Sequence, residues 1–150
     1  IFNDDIGKEI TRPLAQPARA KDFKEGTSID FLIEYKGKRI LVKPSFHYIE
    51  NQFNDTQADV LFLGIARLGK ANPVSQDLFY KETVRKVRPQ LIIPIHWDNF
   101  FKPLDQPLQA QYKIGDNLEN GLDYLINRTK EDHISVKLLD GYSSIVLFGE

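Results

Sequence analysis

The spacing of apolar and polar positions changes several times along the chain, and each change marks a predicted element. Residues 1–25 are polar, carry Pro13 and Pro17 and hold no period, which predicts an irregular arm or linker ahead of a folded portion at 26–150. Phe31-Leu32-Ile33-Glu34-Tyr35 and Arg39-Ile40-Leu41-Val42 are β-rich runs on either side of Lys36-Gly37-Lys38. Two such runs around a short Gly-bearing turn predict a hairpin. Residues 44–58, with Ser45, His47, Glu50 and Asp55, read as a long loop too polar to join a core. Val60-Leu61-Phe62-Leu63 then runs apolar without alternation up to Gly64, the pattern of a strand buried on both faces.

A helix is predicted from about Ser75 to Val87. Tyr80, Val84 and Val87 share one face, and Pro89 forces its end. Leu91-Ile92-Ile93-Pro94-Ile95 is the next buried run; Pro94 removes a ladder donor and marks an edge or a strand end. Residues 97–115 form an aromatic, proline-bearing loop. Asp116 with Glu119 makes a capping-box pattern opening a second helix, with Leu118, Leu122, Leu125, Ile126 and Thr129 on one face. Ile134–Leu139 and Ser144–Phe148, around Asp140-Gly141, predict a closing hairpin. The expected order is β-β-β-α-β-α-β-β, an α/β chain with a mixed sheet and a right-handed parallel crossover in its middle. In such sheets ligands sit beyond the carboxyl ends of the strands, which directs attention to Gly64–Gly69 and to the stretch from His96.

Composition narrows the classes. The chain has 150 residues, 41% hydrophobic and 27% charged, enough for one domain with a genuine core. A net charge of -1 disfavours a nucleic-acid partner. No apolar run approaches the ~20 residues of a membrane helix, so a soluble domain is expected, cytoplasmic or periplasmic. The absence of cysteine removes disulfides, thiolate metal sites and thiol nucleophiles. Residue 1 is Ile and the chain has no Met, which reads as a fragment or processed product.

Several motifs carry possible chemistry. Gly64-Ile65-Ala66-Arg67-Leu68-Gly69-Lys70 spells most of a P-loop, but Ala71 stands where a magnesium-holding hydroxyl belongs and Asn72-Pro73 breaks the required helix start. The glycines read as tight-turn residues. His96, at the end of a strand and followed by Trp97, Asp98, Asn99, Phe100 and Phe101, is placed to act as a metal ligand or general base. A buried or half-buried structural histidine, hydrogen-bonded to backbone, is the competing reading. His47, following the Arg39–Val42 strand, can converge on the same rim, whereas His133 reads as a solvated surface residue. One histidine does not make a zinc site, which takes three or four ligands. No G-x-S-x-G elbow is present.

Phe31-Leu32-Ile33-Glu34, Lys38-Arg39-Ile40-Leu41-Val42, Ala58-Asp59-Val60-Leu61-Phe62-Leu63-Gly64-Ile65 and, most specifically, Ile93-Pro94-Ile95-His96-Trp97-Asp98-Asn99-Phe100 together resemble the metallo-β-lactamase superfamily. The chain is similar to the C-terminal half of bacterial metallo-hydrolases of that fold, over about residues 26–148. The resemblance implies one half to two-thirds of an αββα sandwich with a metal site at a shared sheet edge. It makes His96 the last metal ligand, with Asp98 a pocket residue that orients ligands or water. The family's H-x-H-x-D-H cluster belongs to an N-terminal half, and nothing here matches it. Where a bridging aspartate normally follows the second strand the chain reads Lys43-Pro44-Ser45, which puts a two-metal site in doubt unless His47 or Glu50 substitutes.

The implied activity is metal-assisted hydrolysis of an ester, amide or thioester-type bond in a small-molecule substrate, with zinc or a similar divalent ion as cofactor. Trp97, Phe100, Phe101 and Ser45 are the residues expected at a substrate pocket. The segment alone is expected to be inactive, its other ligands lying in a missing N-terminal half. Two rivals stand beside this: a non-catalytic binding or scaffold domain of the same fold, favoured by Ser45, and pairing with a second copy through exposed sheet surface.

Overall fold

The computed structural model describes residues 9–19, 22–24 and 28–149. Five strands form one mixed sheet in simple sequence order: β1 (Phe31–Tyr35), β2 (Lys38–Lys43), β3 (Val60–Gly64), β4 (Leu91–Ile95) and β5 (Ser135–Val136). β1 and β2 are antiparallel and joined by Lys36 and Gly37, both with positive φ (49° and 74°), as a two-residue hairpin requires. β2, β3, β4 and β5 run parallel. Helix α1 (Pro73–Tyr80) lies on the connection from β3 to β4, and α2 (Leu118–Glu131) on the connection from β4 to β5. The mixed α/β architecture matches the expectation.

The helices build the core against one sheet face. Leu41, Leu61 and Ile92 are aligned across β2, β3 and β4, and together with Leu63 they meet Phe79, Tyr80, Val84, Val87 and Leu125. Each such side chain contributes about 1.5–3 kcal/mol by leaving water. Tyr80, Val84 and Val87 are all buried, as their spacing predicts. Asn72 caps α1, its side chain accepting from the Ser75 amide at 2.9 Å with Pro73 at the first helical position. The helix widens to a π-helical segment at Lys81–Arg85 before it ends. The opposite sheet face is apolar too, and at its β1 edge Phe31, Ile33 and Tyr35 are at least half exposed.

Four expectations need correction. The closing hairpin is absent: β5 is two residues long and pairs in parallel with β4, and Ser144–Phe148 forms no strand. A turn does form, with Gly141 and Ser143 amides donating to Asp140, while Ser135 N to Gln90 O and Lys137 N to Ile92 O join one edge of β5 to β4 and the other edge takes no strand among the described residues. The cap of α2 is Asn117, not Asp116; the Asp116 carboxylate instead accepts from the Arg67 amide at 2.9 Å and the Asn117 amide at 2.7 Å. Ile126 is exposed, one position off the inward stripe of half-buried Leu118 and Leu122 and buried Leu125 and Thr129. The 44–58 loop does enter the core, because Phe53 is buried and Phe46 packs on Phe79 at 4.6 Å between ring centroids. Pro94 behaves as a strand-end residue: the Ile95 carbonyl faces β3, so the neighbouring Pro94 faces the side where β5 has already stopped.

Candidate functional site

Three parallel strands end side by side at Lys43, Gly64 and Ile95, and one backbone carbonyl gathers them. A Cβ placed on Gly64 would stand 2.2 Å from the Pro44 oxygen, so only glycine lets β3 approach the exit of β2 this closely. The same oxygen lies 3.3 Å from Nδ1 of His96. A carbonyl only accepts, so the bond places a proton on Nδ1 and leaves Nε2, in the neutral ring, as a free lone pair. That is the arrangement by which metal-binding histidines are oriented. His96 is exposed and takes φ 55°, a left-handed conformation uncommon for non-glycine residues, although histidine adopts it more readily than most. The strand end turns sharply there and lifts the imidazole off the sheet.

The neighbours of His96 divide into supports and displayed groups. Trp97 is half-buried and packs against the core. Asp98 forms a single antiparallel bridge with Ala110. Asn99 is buried, and Phe100 is exposed with its ring centroid 6.4 Å from that of His96. Ser45 is half-buried, and its Oγ accepts from the His47 amide at 3.3 Å, a local turn. His47 is exposed, as is Glu50. Lys43, the last residue of β2, points to the helix-bearing face and is buried 3.8 Å from Asp30. Burial pushes its pKa down, and the Asp30 carboxylate opposes that shift.

Among the described residues no group of three or more His, Asp or Glu side chains is placed to hold a metal ion. The donor set fits one imidazole ligand and not a complete site. The P-loop reading finds no support in the geometry either. Leu68–Lys70 is a 3₁₀ turn, and the Lys70 ammonium donates to the Ile114 carbonyl at 2.7 Å, tying down the 97–115 loop. Gly69 serves close packing, since a Cβ there would meet the Asn117 oxygen at 1.8 Å.

Two open depressions of about 510 and 300 Å³ lie at the other end of the sheet, lined in part by Arg85, Arg88 and His133 and by Arg39, Asp59 and Arg88. They mark the amino ends of the strands, where parallel sheets seldom place their chemistry. His96 stands exposed on the opposite, carboxyl-end rim. Two contributors to it carry no side-chain signature in the sequence, the Pro44 carbonyl and the turn that Asn99 builds. The residue type of Gly64 was the one signal of close backbone approach. No helix among the described residues is long and apolar enough to cross a membrane. Comparison with protein-family models, curated proteins and solved structures gives no significant match for the chain.

Proposed function

We propose that the chain is the part of a metal-dependent hydrolase of metallo-β-lactamase type that supplies one metal-binding imidazole, His96. The observation that carries the reading is the His96–Pro44 bond at the carboxyl ends of β2 and β4, which fixes the tautomer and frees Nε2 for a ligand. The exposed Phe31, Ile33 and Tyr35 add support, because an apolar sheet face suits a second layer. The remaining ligands would come from outside the described residues. A bound zinc or similar ion makes water acidic enough to supply hydroxide near neutral pH, for an ester-, amide- or thioester-type substrate. This chain's own part is to hold the ring and its Nδ1 proton.

A non-catalytic binding or scaffold domain is the second reading, favoured by Ser45. A hydroxyl already accepting from the His47 amide replaces a carboxylate at the end of β2. Metal analysis of the full-length protein, wild type and His96→Ala, separates them. The hydrolase reading expects bound metal in the wild type and at least about tenfold weaker binding in the variant. Equal metal content in both removes His96 as a ligand, and no metal in either favours the scaffold.

A further inference from the structure

Lys43 is an unfavourable residue for the inside of a sheet, and its place in the fold gives it a use. It closes β2 on the helix-bearing face, in the inward register of Leu41, and is 3% exposed. An apolar side chain suits such a position, whereas an ammonium there gives up its hydration. Among the described residues its one charged partner is Asp30, at 3.8 Å, longer than a hydrogen bond. The Asp30 side chain is itself only 12% exposed. Its Oδ1 makes no hydrogen bond among the described residues, while its Oδ2 accepts from Gln52 Nε2 at 3.1 Å. A buried pair this loosely compensated adds little to stability.

The pair stands where the backbone ladders stop. Phe31 with Val42 is the last pairing of β1 and β2, and Asp30 and Lys43 come next in the same register. The pairing of β2 with β3 ends at Lys43 and Leu63, and Pro44 follows with no amide hydrogen to extend it. Pro44 keeps Lys43 extended, which sets the local angle of the chain but not its position. The close approach at Gly64 limits movement toward β3 alone. The side-chain link supplies the rest, joining the exit of β2 to the start of β1 and, through Gln52, to the 44–58 loop. On the very next residue is the oxygen that His96 Nδ1 meets at 3.3 Å. His96 is exposed, so water competes for that bond, which lasts only while the oxygen stays in place.

We infer that the buried Lys43–Asp30 pair is a positioning device for the site at His96, clamping the exit of β2 so that the Pro44 carbonyl holds the imidazole in its Nδ1–H form. Lys43 is a positioning residue that acts through Pro44 and not on a ligand. A charge pair suits that task better than apolar packing, because it fixes one partner in one direction while apolar contact is non-directional. The inference stands on the His96–Pro44 bond, and only its consequence for metal rests on the hydrolase reading.

The test reads the tautomer of His96 from imidazole nitrogen chemical shifts of the metal-free, full-length protein at about pH 8.5, where an ordinary histidine is neutral. The wild type is expected to hold Nδ1–H. Asp30→Asn/Lys43→Met removes both charges, so neither is left uncompensated, and keeps an acceptor for Gln52. Its urea midpoint is expected to be no lower than that of the wild type. At the same time about half or more of His96 should move to the Nε2–H form that free histidine prefers, with His133, at the far end of the sheet, unchanged. A lowered midpoint with the tautomer kept would make the pair structural only and overturns the inference, as does a wild type without Nδ1–H. Asp30→Asn alone keeps the ammonium and should give a smaller shift in the same direction. If the double variant does not fold, an unchanged tautomer in this single variant overturns the inference. Where the wild type binds metal, the double variant should bind it at least about tenfold more weakly. A wild type that binds none counts against the hydrolase reading and leaves the tautomer result to decide the positioning role.

Discussion

The Nδ1 of His96 lies 3.3 Å from the Pro44 carbonyl oxygen, 52 residues away in sequence, and the hydrogen bond joins the exits of β2 and β4 across the end of β3. Because His96 holds φ 55°, the fold carries a conformational cost there that glycine would not. Replacing His96 by Gly and by Ala separates that cost from the lost bond, since both remove the imidazole. His96→Gly is expected to be more stable than His96→Ala by about 1 kcal/mol. Urea unfolding of the two variants measures it; equal midpoints would mean that the left-handed turn is not maintained.

Gly69 and Gly121 set the contact between the 3₁₀ turn and the start of α2. A Cβ on Gly69 would lie 1.8 Å from the Asn117 oxygen and 2.6 Å from the Gly121 nitrogen, both backbone atoms that cannot swing aside. Gly69→Ala should therefore cost about 3 kcal/mol or more, through displacement of α2. Gly37→Ala, where the new Cβ would meet open space at φ 74°, should cost only about 1 kcal/mol. Thermal unfolding of both variants should rank them in that order.

The strands β1 to β4 and the buried face of α1 were legible because their signals are local: alternation, continuous apolar runs and helical spacing. What escaped depends on partners far away. Asp116 reads as a cap by its neighbours, yet its carboxylate serves the Arg67 amide 49 residues earlier and leaves Asn117 to cap α2. The Asp140-Gly141 turn is real, but its flanks do not pair: Ser135 and Lys137 join β4 on one edge of β5, and Ser144–Phe148 does not take up the other. In 44–58 the polar majority conceals Phe46 and Phe53, which reach the core singly. Of the candidate site, His96 could be read from its strand end. The oxygen that orients it could not, because every residue carries a carbonyl.

Tyr80 and Tyr124 tie the two helices together, their rings edge to face at 6.3 Å. The Tyr124 hydroxyl donates to Asp77 at 2.8 Å, and burial first, then that carboxylate, pushes its pKa up to about 12. Tyr80 is raised as well, by burial first and then by Asp132. Both folded values exceed the ordinary phenol value of about 10. The stability they contribute is thus fully present below about pH 10 and lost as pH rises through the folded values. Tyrosinate absorbance should show two late-ionising phenols whose titration coincides with loss of the fold, and Tyr124→Phe should remove one of them. Complete ionisation of every tyrosine before any change in circular dichroism would contradict this.

Glu82 anchors the loop that leads from Ser45 and His47 back to β3. Its Oε2 accepts from the Asn51 amide at 2.8 Å and faces Lys86 at 3.4 Å, while Oε1 faces Lys81 at 3.6 Å. The Asn51 hydrogen bond first, and the lysines after it, hold the carboxyl below the usual glutamate range. The contribution is therefore present above the ordinary value of about 4.3 and lost as pH falls through the lowered folded value. Acidification should release the loop before the sheet unfolds, since Leu61, Leu63 and Ile92 rely on no ionised group. Amide hydrogen exchange reads this directly. At neutral pH Glu82→Ala should lose protection at Asn51 and Asn54 while Leu61 and Ile92 stay protected, and Glu82→Gln, which keeps an acceptor but no charge, should fall between. Unchanged protection at Asn51 in Glu82→Ala would show that the aromatic contacts of Phe46 and Phe53 hold the loop without the carboxylate.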